Sequence, residues 1–249
     1  MNSTRAISCE TTHTLHELLS CVNHLEKLIE AGFYIMQPNE EFVFREGRNN
    51  MWIRSVQCGH TSGASARCAI IGGPKVEIIN LMIFPKQSEV PVFASEIILL
   101  GSKIHVAVVD HQTVKHNSAI LFEIGRILLP LHRKYSAVLT GGGGLPDWAK
   151  EHFTPWCIYT RPSGASETPT VCESFCEYLN IWLEHWLPRL NSYDQDHSLV
   201  NQYLNHHLVN TPGRLFLGKG FGVDWAESYL HEFMYAPLES GHPQKAVHL

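Results

Sequence analysis

Three apolar segments between Val76 and Gln112 constrain the fold more than any other part of this sequence. Turn residues bound and separate them, at Gly72 to Pro74, Pro85 to Pro91 and Gly101 to Lys103. Because β-branched and aromatic residues fill the segments between these breaks, the sequence predicts three consecutive strands. No helical pattern separates the segments, so we expect a mainly antiparallel sheet.

Each segment carries a polar residue on an otherwise apolar face. The strand period of two groups Glu96 with Val92, Ala94, Ile98 and Leu100, Asn80 with Val76, Ile78, Met82 and Phe84, and Asp110 with Ile104, Val106 and Val108. Burying an ionised carboxylate is costly, so such an acid has a partner, holds a proton or faces a ligand cavity. For Glu96 alone, pairing with a buried arginine, a place near a sheet edge and a catalytic role all fit.

The flanking sequence predicts further strands and helices. Strands are expected over Glu41–Arg48, Met51–Cys58 and Arg67–Ile71, after a helix that runs from a capping box at Thr14–Glu17 to Gly32. Downstream, a helical period marks Ala119–Tyr135, Thr170–Leu187, His197–Val209 and Asp224–Tyr235. Pro130 is expected to end or kink the first of these helices.

The predicted strands and helices together define a fold class. Since the second and third strands of the opening stretch are apolar on both faces, helices should cover both sides of the sheet. We therefore predict an α/β fold, a three-layer α/β/α sandwich with a mainly antiparallel central sheet. We expect a single domain over residues 1–249, with flexible ends at about 1–13 and 239–249.

The composition argues against several classes of function. The chain is 44% hydrophobic with a net charge of −5, which fits a soluble protein and argues against a nucleic-acid partner, because phosphate binding needs a basic surface. The sequence shows no bilayer-spanning apolar run and no signal peptide, so we expect a cytoplasmic protein without a membrane partner. Seven cysteines without a disulfide-framework spacing indicate a reducing compartment.

Some motifs resemble known sites but lack their full spacing. Gly141–Gly144 is not followed by the lysine of a phosphate-binding loop and is expected to be a flexible connector. Cys172 and Cys176 lack an iron–sulfur spacing and are expected in the core. His206 and His207 suit a metal or a propionate, although we favour a solvated helix face. We therefore expect no bound metal and no nucleotide cofactor.

Several motifs, in order, resemble one known family. They are Asn80-Leu-Met-Ile-Phe84-Pro85, Pro91-Val-Phe93-Ala-Ser-Glu96, Val106-Ala-Val-Val-Asp110-His-Gln112, Leu145-Pro-Asp-Trp148, Cys157-Ile-Tyr-Thr-Arg161-Pro-Ser163, Asn210-Thr-Pro-Gly-Arg214 and Phe221-Gly-Val-Asp224-Trp225-Ala226. From about Phe42 to Tyr235 the chain resembles the ferredoxin-dependent bilin reductases, which include the phycocyanobilin and phycoerythrobilin synthases. Red chlorophyll catabolite reductase is a more distant likeness.

This resemblance implies a fold and a chemistry. Members hold an open-chain tetrapyrrole, typically biliverdin, between an antiparallel sheet and the C-terminal helices. They carry no flavin or nicotinamide, so no bound cofactor is expected. Electrons would arrive singly from a reduced [2Fe–2S] ferredoxin and protons from acidic side chains facing the bilin. Heme oxygenase would act upstream as the source of biliverdin.

The resemblance also assigns residues. It implies that Glu96 is the proton donor and that Asn80 orients the bilin lactam. The implied substrate-binding residues are Arg161, Ser163, Arg214, Trp148 and Thr211, of which any can instead be structural. Ferredoxins are acidic, so docking would need a basic patch, for which the candidates are Lys86, Lys103, Arg133, Lys134 and Lys219.

Three departures from the family pattern shape the expected reaction. Most members have Asp at the position of Glu96, Asn80 matches the phycoerythrobilin type, and Thr211 stands where many members have an acid. With one clear proton donor, we expect a two-electron reduction to a dihydrobiliverdin, or onward reduction to a phycobilin. The alternatives are a reductase of a chlorophyll-derived open tetrapyrrole, suggested by Glu96, and a non-catalytic bilin-binding protein, suggested by Thr211 and Asn80.

Overall fold

A computed structural model of the protein describes residues 18, 23–115, 117–190 and 197–238. The expected capping box at Thr14–Glu17 and the expected flexible ends lie outside these residues.

The first half of the described chain is mostly strand. Its elements are α1 (His24–Glu30), β1 (Tyr34–Met36), α2 (Glu40–Val43), β2 (Phe44–Glu46), β3 (Trp52–Gly59), β4 (Ser65–Gly72), β5 (Val76–Phe84), β6 (Val92–Leu100) and β7 (Lys103–Gln112). The three strands predicted between residues 76 and 112 are confirmed.

The second half is mostly helix. Its elements are α3 (Ser118–Ser136), β8 (Ile158–Thr160), α4 (Thr168–Ile181), α5 (Ser198–Asn210), α6 (Gly213–Phe221) and α7 (Val223–Tyr229). A π-helical turn extends α4 over Trp182–Trp186, and another extends α7 over Leu230–Met234. None of the helices in the described part of the chain is long and apolar enough to cross a membrane.

The strands form an eight-stranded sheet in which every pairing is antiparallel. From β3 to β8 the strands lie side by side in chain order, while β1 and β2 both pair with the outer side of β3. From β3 to β7 the sheet is therefore a meander, in which each short connection places the next strand beside the last, whereas α3 lies in the connection between β7 and β8.

Helices cover both faces of the sheet. On the first face, α4 buries Phe175, Tyr178 and the two tryptophans of its π-helical turn against odd-numbered residues of β5 and β6. On the second face, α5 and α7 bury Tyr203 and Tyr229 against even-numbered ones. Both sides are thus apolar, and the predicted α/β/α sandwich with an antiparallel sheet is confirmed.

Three local predictions need correction. The strand expected from Glu41 to Arg48 is only β2, because the Asn39 side chain accepts a hydrogen bond from the Glu41 amide at 3.2 Å and starts α2 instead. Pro130 does not end α3, which continues to Ser136; Pro130 is exposed, so water can reach the carbonyl group that its missing N–H leaves unpaired.

The third correction concerns the glycine-rich segments. Gly141–Gly144 is partly ordered against the sheet, since the Gly142 amide donates to the Tyr159 carbonyl at 2.8 Å. Helix α6 was not predicted from the sequence, because Gly213, Gly218 and Gly220 are poor helix formers. Gly222 ends that helix with a φ of 100°, a conformation that favours glycine.

A β-bulge in β7 changes which side chains face the second layer. Ile98 pairs with Val106 but Leu99 pairs with Ile104, so His105 has no opposing residue. Ile104 therefore joins the core of the first face, and the prediction that it shares a face with Asp110 was wrong.

Candidate active site

A row of side chains crosses the middle of the sheet on the face that α5, α6 and α7 cover. In this row Ser55, Ala69, Asn80, Glu96 and Val108 occupy opposed positions on neighbouring strands. Opposed side chains in an antiparallel pair lie within about 5 Å at Cβ. Asn80 and Glu96, singled out separately in the sequence, are thus direct neighbours.

The helices do not fully cover this face. The partly or fully exposed side chains are Asn80, Glu96, Ile98, Leu100, Val106 and Val108. By contrast, Ile97 and Leu99, which point to the opposite face of β6, are at most 1% exposed. Helices α5 to α7 therefore leave uncovered the half of β6 and β7 nearest the turn at residues 101–103, with Asn80 and Glu96 at its border. We call this uncovered area the cleft.

The carboxyl group of Glu96 has an unusual environment for an acid. Burial raises its pKa, and a hydrogen bond from Asn80 partly opposes the rise. The Asn80 amide nitrogen donates to Glu96 Oε1 at 3.3 Å. The Asn80 Oδ1 atom is buried and has no hydrogen-bond partner among the described residues. The pair therefore presents an acid that burial shifts toward its protonated form beside an amide oxygen that can accept from a ligand.

Tyr235, which sequence reasoning did not single out, connects Glu96 to Thr211. Burial and the negative charge of Glu96 raise the pKa of Tyr235 to about 12, against a hydrogen bond with the Thr211 side chain. Thr211 Oγ1 also accepts from the Gly213 amide at 3.2 Å. Tyr235 follows the π-helical turn of α7, and its position as the last residue of the predicted Asp224–Tyr235 helix was the only sequence signal.

His207 and Trp148 extend this contact away from the sheet. The His207 ring stacks on Tyr235 with 6.1 Å between centroids, and Trp148 meets His207 edge-on at 5.6 Å. His207 is 4% exposed, and burial lowers its pKa to about 3. The interpretation of His206 and His207 as a solvated helix face was therefore wrong for His207, because this side of α5 packs against Trp148.

Arg67, a buried arginine on β4, fixes the segment that carries Tyr235. Its guanidinium group donates to the carbonyl oxygens of Met234 at 2.9 Å and Ala236 at 2.7 Å, the residues on either side of Tyr235. It also lies over the Phe84 ring at 4.9 Å. The sequence raised a buried arginine as a partner for Glu96, but Arg67 bonds these backbone carbonyl groups.

Arg161 and Ser163, two of the proposed propionate-binding residues, follow β8, the strand at one edge of the sheet. The Ser163 amide and hydroxyl both donate to Glu167, at 2.8 and 2.7 Å, which closes a turn. Arg161 is exposed and its guanidinium lies 3.4 Å from the Tyr159 hydroxyl. Tyr159 is opposite Val108, so Arg161 lies at the edge of the row that contains Glu96.

The third, Arg214, is already engaged. Its guanidinium group donates to the Glu227 carboxylate and, at 2.7 Å, to the Leu208 carbonyl at the end of α5. These bonds tie α5, α6 and α7 together. A substrate carboxylate would have to compete with Glu227.

Asp110 is the third polar residue that the sequence singled out on the central strands, and it does not face the cleft. It is fully buried and accepts from the His111 amide and from both the amide and hydroxyl of Thr154, at 2.9, 2.7 and 2.5 Å. Burial raises the pKa of Asp110 to about 7, and these bonds limit the rise. It therefore anchors the segment before β8 to the sheet.

Comparison with known proteins identifies the class that this fold and site define. Residues 22–236 match the family of ferredoxin-dependent bilin reductases. The chain belongs to this family, and it is therefore an oxidoreductase that reduces a bilin with electrons from ferredoxin.

Individual relatives agree with this assignment. The phycoerythrobilin:ferredoxin oxidoreductase of Prochlorococcus marinus (strain MIT 9211) is 27% identical over 216 residues, 79% of this chain and 83% of the relative. The enzyme of the same name from Nostoc punctiforme is 25% identical over 173 residues, 66% of this chain and 67% of the relative. The crystal structure of tomato phytochromobilin synthase in complex with biliverdin has the same fold, with a TM-score of 0.74 and 19% identity over 90% of this chain and 82% of that one.

Proposed function

We propose that the chain reduces biliverdin bound in the cleft between the sheet and α5 to α7, with Glu96 as proton donor. The observation that carries this proposal is an acid of raised pKa that is partly exposed beside the uncovered area of the sheet. Burial shifts this group toward its protonated form, and a protonated carboxyl group can release its proton to a reacting carbon. The bound biliverdin in the tomato relative supports the choice of substrate.

The proposed reaction balances for one double bond with two electrons and two protons. Each reduced [2Fe–2S] ferredoxin is oxidised as it gives one electron to the bilin. The first electron produces a bilin radical anion, and the Glu96 proton forms a C–H bond to give a neutral radical. A second electron and a second proton form the other C–H bond. Between the two protonations, the Glu96 carboxylate regains a proton from water, which the cleft admits.

Asn80 would orient the bilin rather than protonate it. Its amide nitrogen faces Glu96, which leaves Oδ1 to accept an N–H group of the bilin. Pyrrole and lactam nitrogens are donors of this kind. Accepting such a bond would hold the reacting ring against Glu96.

We propose a dihydrobiliverdin as the product. In the described part of the chain, Glu96 is the only carboxyl group of the central row, Asp110 is held by Thr154, and Thr211 supplies no acid. A single donor suits a single reduced double bond. Continued reduction to a phycobilin would need a second donor, for which we propose Tyr235, because the Glu96 charge acts on its hydroxyl.

For the propionates we propose Arg161 and Arg214, with Ser163, Trp148 and Thr211 as further contacts. Arg161 is exposed at the edge of the row, so its guanidinium can turn toward a carboxylate. Arg214 would exchange Glu227 for the substrate, and the planar fork of an arginine suits either carboxylate.

We propose that ferredoxin docks at the end of the sheet where the cleft is open. The exposed cations at this end are Arg48, Lys75, Lys103 and Lys219. Met51 lies between them, because its side chain occupies the space that a Cβ atom at Gly73 or at Gly220 would meet, and the Gly101 amide donates to the Lys75 carbonyl. Lys134 does not belong to this patch, since it pairs with Glu173 and Glu177 in the helix layer on the other face.

The remaining partners follow from the chemistry. Biliverdin is an opened macrocycle, so we propose heme oxygenase as its upstream source. We propose the cytoplasm as the site of action, and the seven cysteines without a disulfide-framework spacing support a reducing compartment.

The test is an anaerobic absorbance time course of the protein with biliverdin, reduced ferredoxin and its reducing system, followed by chromatography of the pigment. We expect a transient radical spectrum and a dihydrobiliverdin. E96Q should bind biliverdin with unchanged affinity. Its turnover should be at least about 100-fold slower, because a positioned general acid typically contributes that much to the rate.

E77Q is the matched control, because Glu77 is also a buried acid of the sheet but points to the opposite face of β5. It should leave rate and product unchanged. Equal activity of E96Q and wild type would remove Glu96 from the mechanism. Unchanged biliverdin with competent ferredoxin would instead mean that the chain only binds bilins or acts on a chlorophyll-derived tetrapyrrole, and clean phycocyanobilin would overturn the dihydrobiliverdin proposal.

A further inference from the structure

Three potential metal ligands converge beside the proposed bilin cleft. Glu151 and His152 precede β8, and His206 lies on α5. One ligand atom from each of these residues lies within 4.8 Å of the others. The His152 and His206 rings are in edge-to-face contact with 4.8 Å between centroids.

Backbone carbonyl groups fix the tautomers of both imidazoles. His206 Nε2 lies 2.8 Å from the Trp148 carbonyl oxygen, and His152 Nδ1 lies 2.9 Å from that of Thr113. Because a carbonyl oxygen only accepts, these nitrogens carry the ring protons. In the neutral form of each ring, the lone pair is then on His206 Nδ1 and on His152 Nε2. Histidines that bind metals usually donate their other N–H group to a carbonyl or carboxylate in this way.

The charge arrangement favours a cation. His206 Nδ1 lies 3.5 Å from a carboxylate oxygen of Glu151. With the ring proton on Nε2, a lone pair faces an anion, an arrangement that a cation between them would stabilise. Two imidazoles and one carboxylate, with a fourth position for water, form a known ligand set for zinc.

The spacing requires a modest adjustment. Zinc bonds of about 2.0–2.2 Å place tetrahedral ligand atoms roughly 3.4 Å apart, closer than the 4.8 Å within which these atoms lie. The Glu151 side chain is 57% exposed, so its carboxylate can move inward without disturbing the core. The two histidines can keep their carbonyl bonds.

We propose that Glu151, His152 and His206 bind one divalent transition-metal ion, with Zn²⁺ favoured over Mg²⁺ and Ca²⁺. Imidazole ligands favour Zn²⁺, whereas Mg²⁺ and Ca²⁺ prefer oxygen ligands. The ion would join the segment before β8 to α5, next to the His207–Tyr235 contact. It would thereby brace one wall of the cleft, a role that does not depend on the identity of the bilin.

The test is a titration of the bilin-free, tag-free chain with Zn²⁺ by calorimetry, and with Co²⁺ by visible absorption, which reports the coordination geometry. We expect one strong site per chain and a rise of Tm on zinc addition. E151Q and H206Q should each weaken that site by at least about tenfold, as losses around metal sites typically do. Circular dichroism would establish that both variants fold.

H231Q is the matched control, because His231 and Glu227 form a surface histidine–carboxylate pair at 3.7 Å to which the described residues add no second histidine. This variant should bind zinc like wild type. The absence of a strong site in wild type, or equal affinity of E151Q, H206Q and wild type, would overturn the proposal. Because neither bilin nor ferredoxin is present, these results are independent of the reductase assay.

Discussion

The Asn80 amide nitrogen and the Glu96 carboxylate oxygen lie 3.3 Å apart across β5 and β6, at directly opposed positions of the sheet. The hydrogen bond favours the ionised form of Glu96, while burial favours the protonated form and has the larger effect. The proton-donating ability of Glu96 therefore depends on its neighbour.

N80A should shift the pH dependence of bilin reduction. Turnover needs protonated Glu96, so the rate falls as the pH rises through the pKa of Glu96. Removing the Asn80 amide removes the bond that lowers this pKa, and the falling limb should move to higher pH. The measurement is a pH–rate profile under saturating biliverdin and ferredoxin.

S55A is a suitable control, because Ser55 belongs to the same row but bonds the Tyr229 hydroxyl at 2.8 Å. Its falling limb should stay in place. A limb that moves to lower pH in N80A would contradict the assignment of Glu96 as the titrating donor.

R67M should destabilise the fold through the segment that carries Tyr235. The substitution leaves the carbonyl groups of Met234 and Ala236 without their charged donor, at about 1–3 kcal/mol for each buried unsatisfied group. We expect the free energy of unfolding in urea to fall by roughly 3 kcal/mol. R54M, at an exposed position of β3, should change it by less than about 0.5 kcal/mol, and equal losses for both variants would argue against this role.

His24 should make the fold sensitive to acid. Its ring is 3% exposed and contacts the Cys68 sulfur at 3.0 Å, and burial lowers its pKa to about 4. The folded state binds this proton less readily than the unfolded state, so the neutral ring contributes stability above pH 6.5. That contribution is lost as the pH falls from about 6.5 to about 4.

H24Q should therefore flatten the decline of stability over that pH range by roughly 3 kcal/mol, at 1.4 kcal/mol per unit of pKa difference. The measurement is urea unfolding at a series of pH values. H105Q serves as the control, because His105 lies exposed at the bulge, and its profile should match wild type. A decline in H24Q as steep as that of wild type would exclude His24 as its source.

The double variant K75E/K103E should raise the KM for ferredoxin without changing biliverdin affinity. Reversing two charges of the proposed patch opposes the approach of an acidic partner, and we expect an effect on the order of tenfold at low salt that shrinks as salt is added. R133E/K134E changes the net charge equally on the opposite helix layer. A larger effect from that pair would place ferredoxin on the other face.

The sequence predicted the sheet and its acid because both rest on short-range patterns. Strand alternation and turn residues located β5, β6 and β7, and they placed Asn80 and Glu96 on apolar faces. The direct pairing of Asn80 with Glu96 depends on hairpin register. That register is set by the whole loop at residues 85–91, which sequence patterns do not fix.

Other parts of the site were hidden for identifiable reasons. The direction in which Tyr235 points could not be predicted, because the π-helical turn before it breaks the 3.6-residue period of the helix. The Met234 carbonyl that accepts from Arg67 lies 167 residues further along the chain, so no local pattern predicts this bond. The proposed metal ligands are likewise split between the approach to β8 and α5, so no local spacing marks them.

Because of the bulge at His105, the two parts of β7 should differ in how well they tolerate the deletion of one residue. Removing His105 would restore a regular ladder, because Ile104 and Val106 already face consecutive residues of β6. Removing any one residue between Val106 and Asp110 would instead exchange inside for outside along the rest of the strand. The bulge at His105 thus divides β7 in two. The hairpin before it can be shortened by one residue, whereas the strand after it must keep its length for its side chains to face the substrate cleft.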